Sequence, residues 1–402
     1  MSEDNRVIIV GAGPVGYTAA LNLAHYGIPF TLLEAEATIT DDPRAGTIHP
    51  PTLELFAKLN LTQTLVDRGY IVRNYHYRDR KLGVVANFDL GVLSDDTPFP
   101  YRLMLEQHKI SNIIDSVLTR YQNFEILRSH RVVKVSQSNN RVSVEVETPK
   151  GYETFRGRYL IGCDGGRSQV RKFTKVEFEG FTFPERFLVV TTPYDFEKDG
   201  YALTNYVSDP KEWCALFKVP GLDDKGIWRV VFPTNPELTI EEIFEDEKIE
   251  ARLQAFHPNT EHFPIVHRNL YEVHQRVASS YRDGRVLLAG DAAHINNPLG
   301  GMGMNFGFHD VFNLTEKLAT IWFENGNEQL LDLYDRQRRT VAEEFLQRQT
   351  IENKNNLENK NPKAREEFHN ELRGIVADRD KARVYLRRAA MIEGVERAAS
   401  II

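Results

Sequence analysis

The chain has 402 residues, enough for two or three structural units with a substantial core. Its formal net charge of −7 argues against general nucleic-acid binding. Cys163 and Cys214 are too few and too distant to predict a disulfide framework or a zinc site, so we expect no metal. The acidic start and the short apolar runs predict neither a signal peptide nor a membrane span, and so favour a cytoplasmic protein.

The first motif is a glycine-rich turn between a strand and a helix. Residues 7–10 are a continuous β-branched run, typical of a buried parallel strand, and an apolar helix follows to about residue 26. A second strand is predicted at residues 30–33, with Glu34 at its end. Strand, turn, helix, strand and acid at this spacing form the complete dinucleotide-binding fingerprint.

Each glycine of the fingerprint has its own expected role. Gly11 allows the tight turn, Gly13 lets the backbone approach a pyrophosphate, and Gly16 lets the helix pack closely on the strand. Glu34 accepts hydrogen bonds from ribose hydroxyl groups. The predicted dinucleotide site therefore comprises Gly11, Gly13, Pro14, Gly16, Glu34 and Ala35.

Two later strands also lead to an aspartate. The run that begins at residue 159 predicts a strand that ends in Asp164 and Gly165, and the four apolar residues 286–289 predict a strand that Gly290 ends, with Asp291 at its tip. After Asp291 come a proline, a cluster of glycines and an apolar helix, which direct N–H groups and the positive end of a helix dipole at an anion. Nucleotide signatures so far apart in the sequence predict one long cofactor that lies across the fold.

The middle of the chain has a different pattern. Successive β runs between residues 187 and 232 are separated by short turns, which predicts an antiparallel sheet that serves as a substrate platform. Residues 132–135 and 142–146, joined by two asparagines, predict a separate hairpin.

The three motifs, in this order, resemble those of the single-component (class A) FAD-dependent aromatic hydroxylases, the group of 4-hydroxybenzoate hydroxylase. Residues 43–55 and the C-terminal pattern are most similar to the 3-(3-hydroxyphenyl)propionate hydroxylase-like and phenol hydroxylase-like branches. The resemblance implies an α/β fold, with a Rossmann-like FAD-binding domain, an inserted antiparallel-sheet substrate domain and C-terminal helices. The implied ranges are 1–72, 100–176 and 277–325 for FAD, 73–99 and 177–276 for substrate, and 326–402 for the C-terminal helices.

The resemblance also implies residue roles. Gly11, Gly13 and Gly16 would hold the FAD pyrophosphate, and Glu34 the adenosine ribose. Further residues implied to contact or support the cofactor are Arg44, Gln107, Asp164, Asp291, Pro298, Gly301, Gly303, Met304 and Asn305. Without the resemblance, Arg44 would be taken for a surface salt-bridge partner.

The placement of the last of these residues has an independent physical argument. Reduced flavin carries negative charge on its pyrimidine edge, and N–H groups of Gly303, Met304 and Asn305 at a helix start would stabilise that charge. Pro298 is implied to lie beside the reactive flavin carbon.

Substrate contacts are implied at Tyr206, Phe217 and Arg229, with Trp213 and Trp228 nearby. Ordinary sheet packing explains each of these residues equally well. Arg229 would pair either with a substrate carboxylate or with a surface acid. His294 is expected to be structural, because flavin chemistry needs no protein nucleophile.

The implied reaction is hydroxylation of a phenol-like or N-heteroaromatic small molecule by FAD, NAD(P)H and O2 through a flavin C4a-hydroperoxide. The chain has no second GxGxxG after a strand, so NAD(P)H is expected to bind transiently. The expected partners are a small aromatic substrate and O2, without nucleic acid or membrane, and a homodimer is left open.

Two alternatives remain at this point. One is a flavin oxidoreductase of the same fold that does not hydroxylate, such as a reductase or halogenase, although the tryptophan-rich halogenase motif is absent. The other is a non-catalytic carrier, against which the retention of all three cofactor motifs argues.

Overall fold

The structure is a computed structural model that describes residues 5–40, 46–221, 223, 225–324 and 326–402. The strands, in chain order, are β1 (Val7–Val10), β2 (Phe30–Leu33), β3 (Thr47–Ile48), β4 (Tyr70–Val72), β5 (Asn74–Asp79), β6 (Gly83–Asp89), β7 (Arg102–Met104), β8 (Phe124–Leu127), β9 (Arg131–Gln137), β10 (Val142–Thr148), β11 (Gly151–Gly157), β12 (Tyr159–Gly162), β13 (Phe178–Thr192), β14 (Thr204–Ser208), β15 (Cys214–Val219), β16 (Ile227–Pro233), β17 (His267–Ala278), β18 (Arg282–Asp283), β19 (Val286–Leu288) and β20 (His294–Ile295).

The helices are α1 (Pro14–Tyr26), α2 (Pro50–Ala57), α3 (Thr62–Val66), α4 (Gln107–Leu118), α5 (Gln169–Lys172), α6 (Ile240–Ile243), α7 (Asp246–Phe256), α8 (Gly303–Phe323), α9 (Gln329–Val341), α10 (Arg348–Glu358), α11 (Pro362–Val376), α12 (Arg379–Ala389) and α13 (Ile392–Ser400). None of the helices in the described part of the chain combines the length and apolarity that crossing a bilayer requires.

A six-stranded sheet brings the three sequence motifs together. Its order is β18-β19-β12-β1-β2-β8, and all its pairs are parallel except β18 with β19. Strands β1 and β12 are buried throughout, as their continuous apolar runs predicted. Because β1, β12 and β19 are neighbours, their carboxyl ends meet at one edge, where open α/β sheets bind ligands.

The predicted antiparallel platform is present within a larger sheet. The order is β20-β17-β13-β16-β15-β14-β5-β6, and β14 pairs with β5 in parallel, unlike the other pairs. The predicted hairpin is confirmed as the antiparallel pair of β9 and β10, although it belongs to a separate three-stranded sheet.

The two faces of the larger sheet pack against different parts of the chain. Alternate residues such as Leu216 and Val230 pack against α7, whereas their neighbours, including Phe217, face the other way. On that second face the cluster also contains Leu299, from the loop after β20, and Leu386 of α12. The C-terminal helices therefore help to cover the face of the larger sheet that packs against Leu299.

The buried carboxylate of Asp310 ties α8 to the edge of the six-stranded sheet where β1, β12 and β19 end. Both oxygens of Asp310 are used: Oδ2 lies 2.7 Å from His294 Nε2 and accepts from Gly290 N at 3.0 Å, and Oδ1 accepts from Arg338 Nε at 2.8 Å. Burial disfavours its charged form, but His294 and Arg338 outweigh burial and hold the pKa of Asp310 below its ordinary value. His294 is fully buried, as expected of a structural residue.

Replacing Asp310 tests this cross-link. Asp310→Asn leaves Arg338 buried without its counter-charge, so we expect a loss of about 3–5 kcal/mol in the free energy of unfolding, measured by urea denaturation. The matched control is Asp332→Asn, because Asp332 pairs with Arg282 at 2.8 Å but is 54% exposed, and its loss should cost less than about 1 kcal/mol.

The same carboxylate predicts an acid sensitivity. Since the folded-state pKa is lowered, the stabilisation by Asp310 is fully present above about pH 4, the ordinary aspartate value, and disappears as the pH falls further through the lowered pKa. Equal losses for the two variants at pH 7 would contradict the assigned role.

Candidate active site

The fingerprint glycines divide into two kinds. Gly11 has φ +98°, and a Cβ there would lie 2.5 Å from Cys163 O. A Cβ at Gly16 would lie 1.8 Å from Gly11 O. Both glycines are therefore required by the fold, whether or not a ligand is bound.

Gly13 differs from both. Its φ is −71°, which any residue adopts, and a Cβ built on it meets no atom within 4 Å. Neither the backbone nor the packing explains a glycine here. The open space lies at the start of α1, where no side chain of the described residues caps the helix, as a bound pyrophosphate would require.

A cleft of about 150 Å³ continues from Gly13 along the end of β2. Glu34 stands at its wall, where its carboxylate accepts from Ala12 N at 2.6 Å and from Glu36 N at 2.8 Å. Half-exposed Ala35 follows. Gln107, the first residue of α4, lines the opposite wall. Arg44 lies outside the described residues.

Asp164 organises its own turn. One carboxylate oxygen accepts from Ser168 Oγ at 2.5 Å, and the other accepts from the backbone of Gln169 and Val170 at 2.7 and 3.0 Å. Burial raises its pKa. The side chain thus holds its own turn at the sheet edge, and its expected roles near the pyrophosphate and the nicotinamide remain predictions.

The loop after β19 lies at the same edge of the six-stranded sheet. Gly290 turns the chain with φ +61°, and Asp291 and Pro298 are both exposed at the edge. Gly301 N donates to Pro298 O at 3.0 Å, in a turn where both Gly300 and Gly301 have positive φ. These exposed positions are compatible with the contacts expected for Asp291 and Pro298.

The side chain of Asn305 holds this loop in place by hydrogen bonds. Its Oδ1 accepts from His49 N at 2.9 Å and from Thr52 Oγ1 at 2.8 Å, and its Nδ2 donates to Thr47 O and Gly301 O. The side chain is fully buried. Any contact of Asn305 with a cofactor would therefore use its backbone N–H.

The start of α8 offers such N–H groups. Met302 precedes the helix without capping it by a side chain, and Gly303, Met304 and Asn305 are the first three helical residues. The first N–H groups of a helix have no acceptor within the helix, and the dipole of a 21-residue helix adds positive potential there. This terminus is suited to the negative edge of a reduced flavin.

Tyr206, Phe217 and Arg229 share the face of the larger sheet that looks toward Leu299. Phe217 pairs with Arg229 across β15 and β16, and its ring centre lies 6.0 Å from that of Tyr206. Trp213 belongs to the same face.

The expectation that Trp228 lies near this site is wrong. It lies on the opposite face of β16, where its indole donates to Asp195 Oδ1 at 3.4 Å. Residues 228 and 229 are adjacent in a strand and so point to opposite faces.

The structure adds residues that sequence reasoning did not identify. Arg102 is buried between the sheet and α12, together with Tyr75 and Tyr385, and His49 lies beside it. An arginine inside the apolar run 101–105 was a usable signal for Arg102. Tyr385 gave no such signal, because the spacing of apolar residues along a helix does not show which part of the protein the helix packs against.

The glycine difference predicts a clean separation of folding from cofactor binding. Gly13→Val should fold, because the new side chain points into open space, yet it should weaken FAD binding at least tenfold by occupying the pyrophosphate position. Gly16→Val is the matched control and should not fold. The measurements are thermal unfolding and FAD fluorescence titration, and a fully flavinated Gly13→Val protein would refute the assignment.

Comparisons with known proteins identify the family of the chain. The family model described as FAD binding domain matches residues 4–349. A para-nitrophenol 4-monooxygenase from Pseudomonas sp. strain WBC-3 is 37% identical, over 86% of this chain and 85% of its own. A 6-hydroxy-3-succinoylpyridine 3-monooxygenase from Pseudomonas putida is 34% identical, over 96% and 98% of the two chains.

Solved structures give the same result. The crystal structure of a p-nitrophenol 4-monooxygenase from Pseudomonas putida is similar with a TM-score of 0.92 and 31% identity, covering 98% of each chain. An anhydrotetracycline hydroxylase from Streptomyces rimosus gives a TM-score of 0.78 and 28% identity, over 96% of this chain and 76% of its own. The chain therefore belongs to the FAD binding domain family, in the branch that contains the class A aromatic hydroxylases.

Proposed function

We propose that this protein is an FAD-dependent monooxygenase that hydroxylates a phenol-like or N-heteroaromatic small molecule with NAD(P)H and O2. The observation that carries the proposal is that the edge expected to bind the cofactor lies next to a buried aromatic face of the larger sheet. The loop at Gly300, on the cofactor edge, touches a buried aromatic face through Leu299. The monooxygenases similar to this chain act, by their names, on a nitrophenol and on a hydroxypyridine derivative.

The residues around the edge fit FAD. The space at Gly13 and the start of α1 would take the pyrophosphate, Glu34 the ribose, and the start of α8 the pyrimidine edge. When bound, FAD supplies hydride acceptance from NAD(P)H and activation of O2 for oxygen transfer to the ring. Further proposed contacts are Pro14, Ala35, Arg44, Gln107, Asp164, Asp291, Pro298 and Gly301.

The protein's own contribution is orientation, charge stabilisation and exclusion of water. N–H groups of Gly303 and Met304 would stabilise negative charge without reorganising, because Asn305 holds their turn rigidly. Tyr206, Phe217 and Arg229 would line the substrate side, where a dry environment favours oxygen transfer over loss of peroxide. Residues 1–72, 100–176 and 277–325 would form the FAD-binding part, 73–99 and 177–276 the substrate part, and 326–402 the helical cover.

A direct test of this function uses the purified, FAD-loaded protein. It is incubated with NADH or NADPH and a panel of 4-nitrophenol, 4-hydroxybenzoate and 6-hydroxynicotinate under ¹⁸O2. We expect at least one product that carries a single ¹⁸O atom on the ring. Oxidation of NAD(P)H that never yields labelled product, across a wider panel of phenols and hydroxypyridines, would favour a non-hydroxylating flavin enzyme.

Asp291 gives a second test. Its exposed position at the edge predicts charge-assisted hydrogen bonds to FAD hydroxyl groups, worth about 1.5–3 kcal/mol. Asp291→Ala should therefore weaken FAD binding at least about tenfold in a fluorescence titration. An unchanged dissociation constant would remove Asp291 from the site.

Substrate should also control reduction. NAD(P)H is proposed to bind without a dedicated domain. Its transfer of hydride to the flavin therefore depends on whether the site is in the conformation that allows reduction. A substrate that speeds reduction about a hundredfold must bind the competent state more tightly by about 2.7 kcal/mol. Anaerobic mixing of the oxidised protein with NAD(P)H, with and without an aromatic that is hydroxylated in air, measures this effect. Equal rates of flavin bleaching would exclude such control and leave the FAD assignment intact.

A further inference from the structure

Arg102 occupies an unusual place in the fold. It begins β7 inside the molecule and is only 2% exposed. Its guanidinium carbon stands 4.4 Å from the centre of the Tyr75 ring. An arginine buried to this extent ordinarily has a carboxylate partner.

Within the described residues, no carboxylate pairs with Arg102. Its Nη2 donates to Ala389 O at 3.4 Å, and the neutral Tyr206 hydroxyl is also within its reach, whereas its Nε and Nη1 have no acceptor among the described residues. The contrast is Arg338, equally buried, which has Asp310 at 2.8 Å. Asp96, a buried acid in the turn above β7, is taken by Arg383 and Arg387. An uncompensated buried charge is costly, so its presence calls for a partner that comes from outside.

The side chains around the guanidinium are neutral. Burial raises the pKa of Tyr75 and Tyr206, and it raises that of Tyr385 to about 12. Burial, and then the charge of Arg102, keep the pKa of His49 well below its ordinary value. At pH 7 these groups are hydrogen-bonding phenols and a neutral imidazole, and none of them balances the charge.

Aromatic side chains surround the guanidinium. The rings of Tyr75 and Tyr206 meet edge to face at 6.1 Å, and Tyr385 of α12 stacks on Phe88 at 4.8 Å. We call the cluster of Arg102, Tyr75, Tyr206 and Tyr385 the tyrosine chamber. It adjoins the cofactor edge, because His49 Nε2 lies 3.0 Å from Gly300 O.

We propose that Arg102 binds a negatively charged oxygen of the aromatic substrate, whose ring lies in the tyrosine chamber. The substrate class is thus an aromatic anion, either a carboxylate or an ionised phenol. The inference rests on the proposed function in that it calls the bound anion a substrate, but binding of the anion at Arg102 does not require turnover. It also makes α12 part of the active site.

The test is calorimetric titration of the oxidised, FAD-loaded protein without NAD(P)H. The probes are 4-hydroxybenzoate, its neutral isostere 4-hydroxybenzamide, and 4-cyanophenol at a pH where it is ionised. The wild type should prefer at least one anion over the amide. In Arg102→Met that anion should bind about ten- to hundredfold more weakly, the range expected for a charge-assisted hydrogen bond, whereas the amide should change less than about threefold. The anion that responds identifies carboxylate or phenolate as the group bound.

Arg158→Met is the matched control, because the Arg158 guanidinium also stands over aromatic rings, 5.4 Å from the centre of Tyr159, but it directly precedes β12 of the six-stranded sheet and is not part of the chamber. It should leave all three affinities unchanged. Arg102→Met should melt no lower than the wild type, because it removes an uncompensated charge.

Three outcomes would overturn the inference. They are a wild type that binds neither anion, an Arg102→Met protein with unaltered anion affinity, or an equal loss of anion and amide together with a lower melting temperature. Failure of the proposed function is distinguishable, because it appears as absent oxygen transfer while the anion preference and its dependence on Arg102 persist.

Discussion

The close contact of two helices with one turn is the constraint on which the cofactor edge depends. Val15 of α1 lies against Gly290 and Gly307, and a Cβ at Gly307 would come within 2.6 Å of its side chain and 3.0 Å of the Gly290 backbone. This contact is possible only because those positions have no side chain. It brings the starts of α1 and α8 to the same edge of the six-stranded sheet, so two positive helix ends face one groove.

Buried polar groups then convert this arrangement into a rigid one. Asn305 ties the glycine-rich loop to the segment before α2, and Asp310 ties the turn at Gly290 to Arg338 of α9. Each group has its hydrogen bonds satisfied by partners from distant parts of the chain. Backbone N–H groups fixed in this way need not reorganise when charge develops near them, which is the condition for effective electrostatic stabilisation.

The parts of the fold that sequence reasoning predicted are those with local signals. Strands β1 and β2 have the predicted bounds, because short apolar runs flanked by glycine or proline are recognisable without tertiary information. Trp228 was misplaced because the face that a residue occupies depends on sheet register. Tyr385 was missed for a related reason: its proximity to Arg102 is created by packing between β7 and α12, and no local pattern encodes it.

The position of α12 has a consequence for how such a protein diversifies. The family match ends at residue 349, so the helix that carries Tyr385 and Ala389 lies beyond it, while the glycine turns and Asp310 lie within. Tyr75, Arg102 and Tyr206 of the proposed tyrosine chamber lie within the match together with the cofactor edge, so Tyr385 is the one chamber residue that lies beyond it. Substitutions in α12 would therefore alter one side of the proposed chamber and leave the residues of the cofactor edge unchanged.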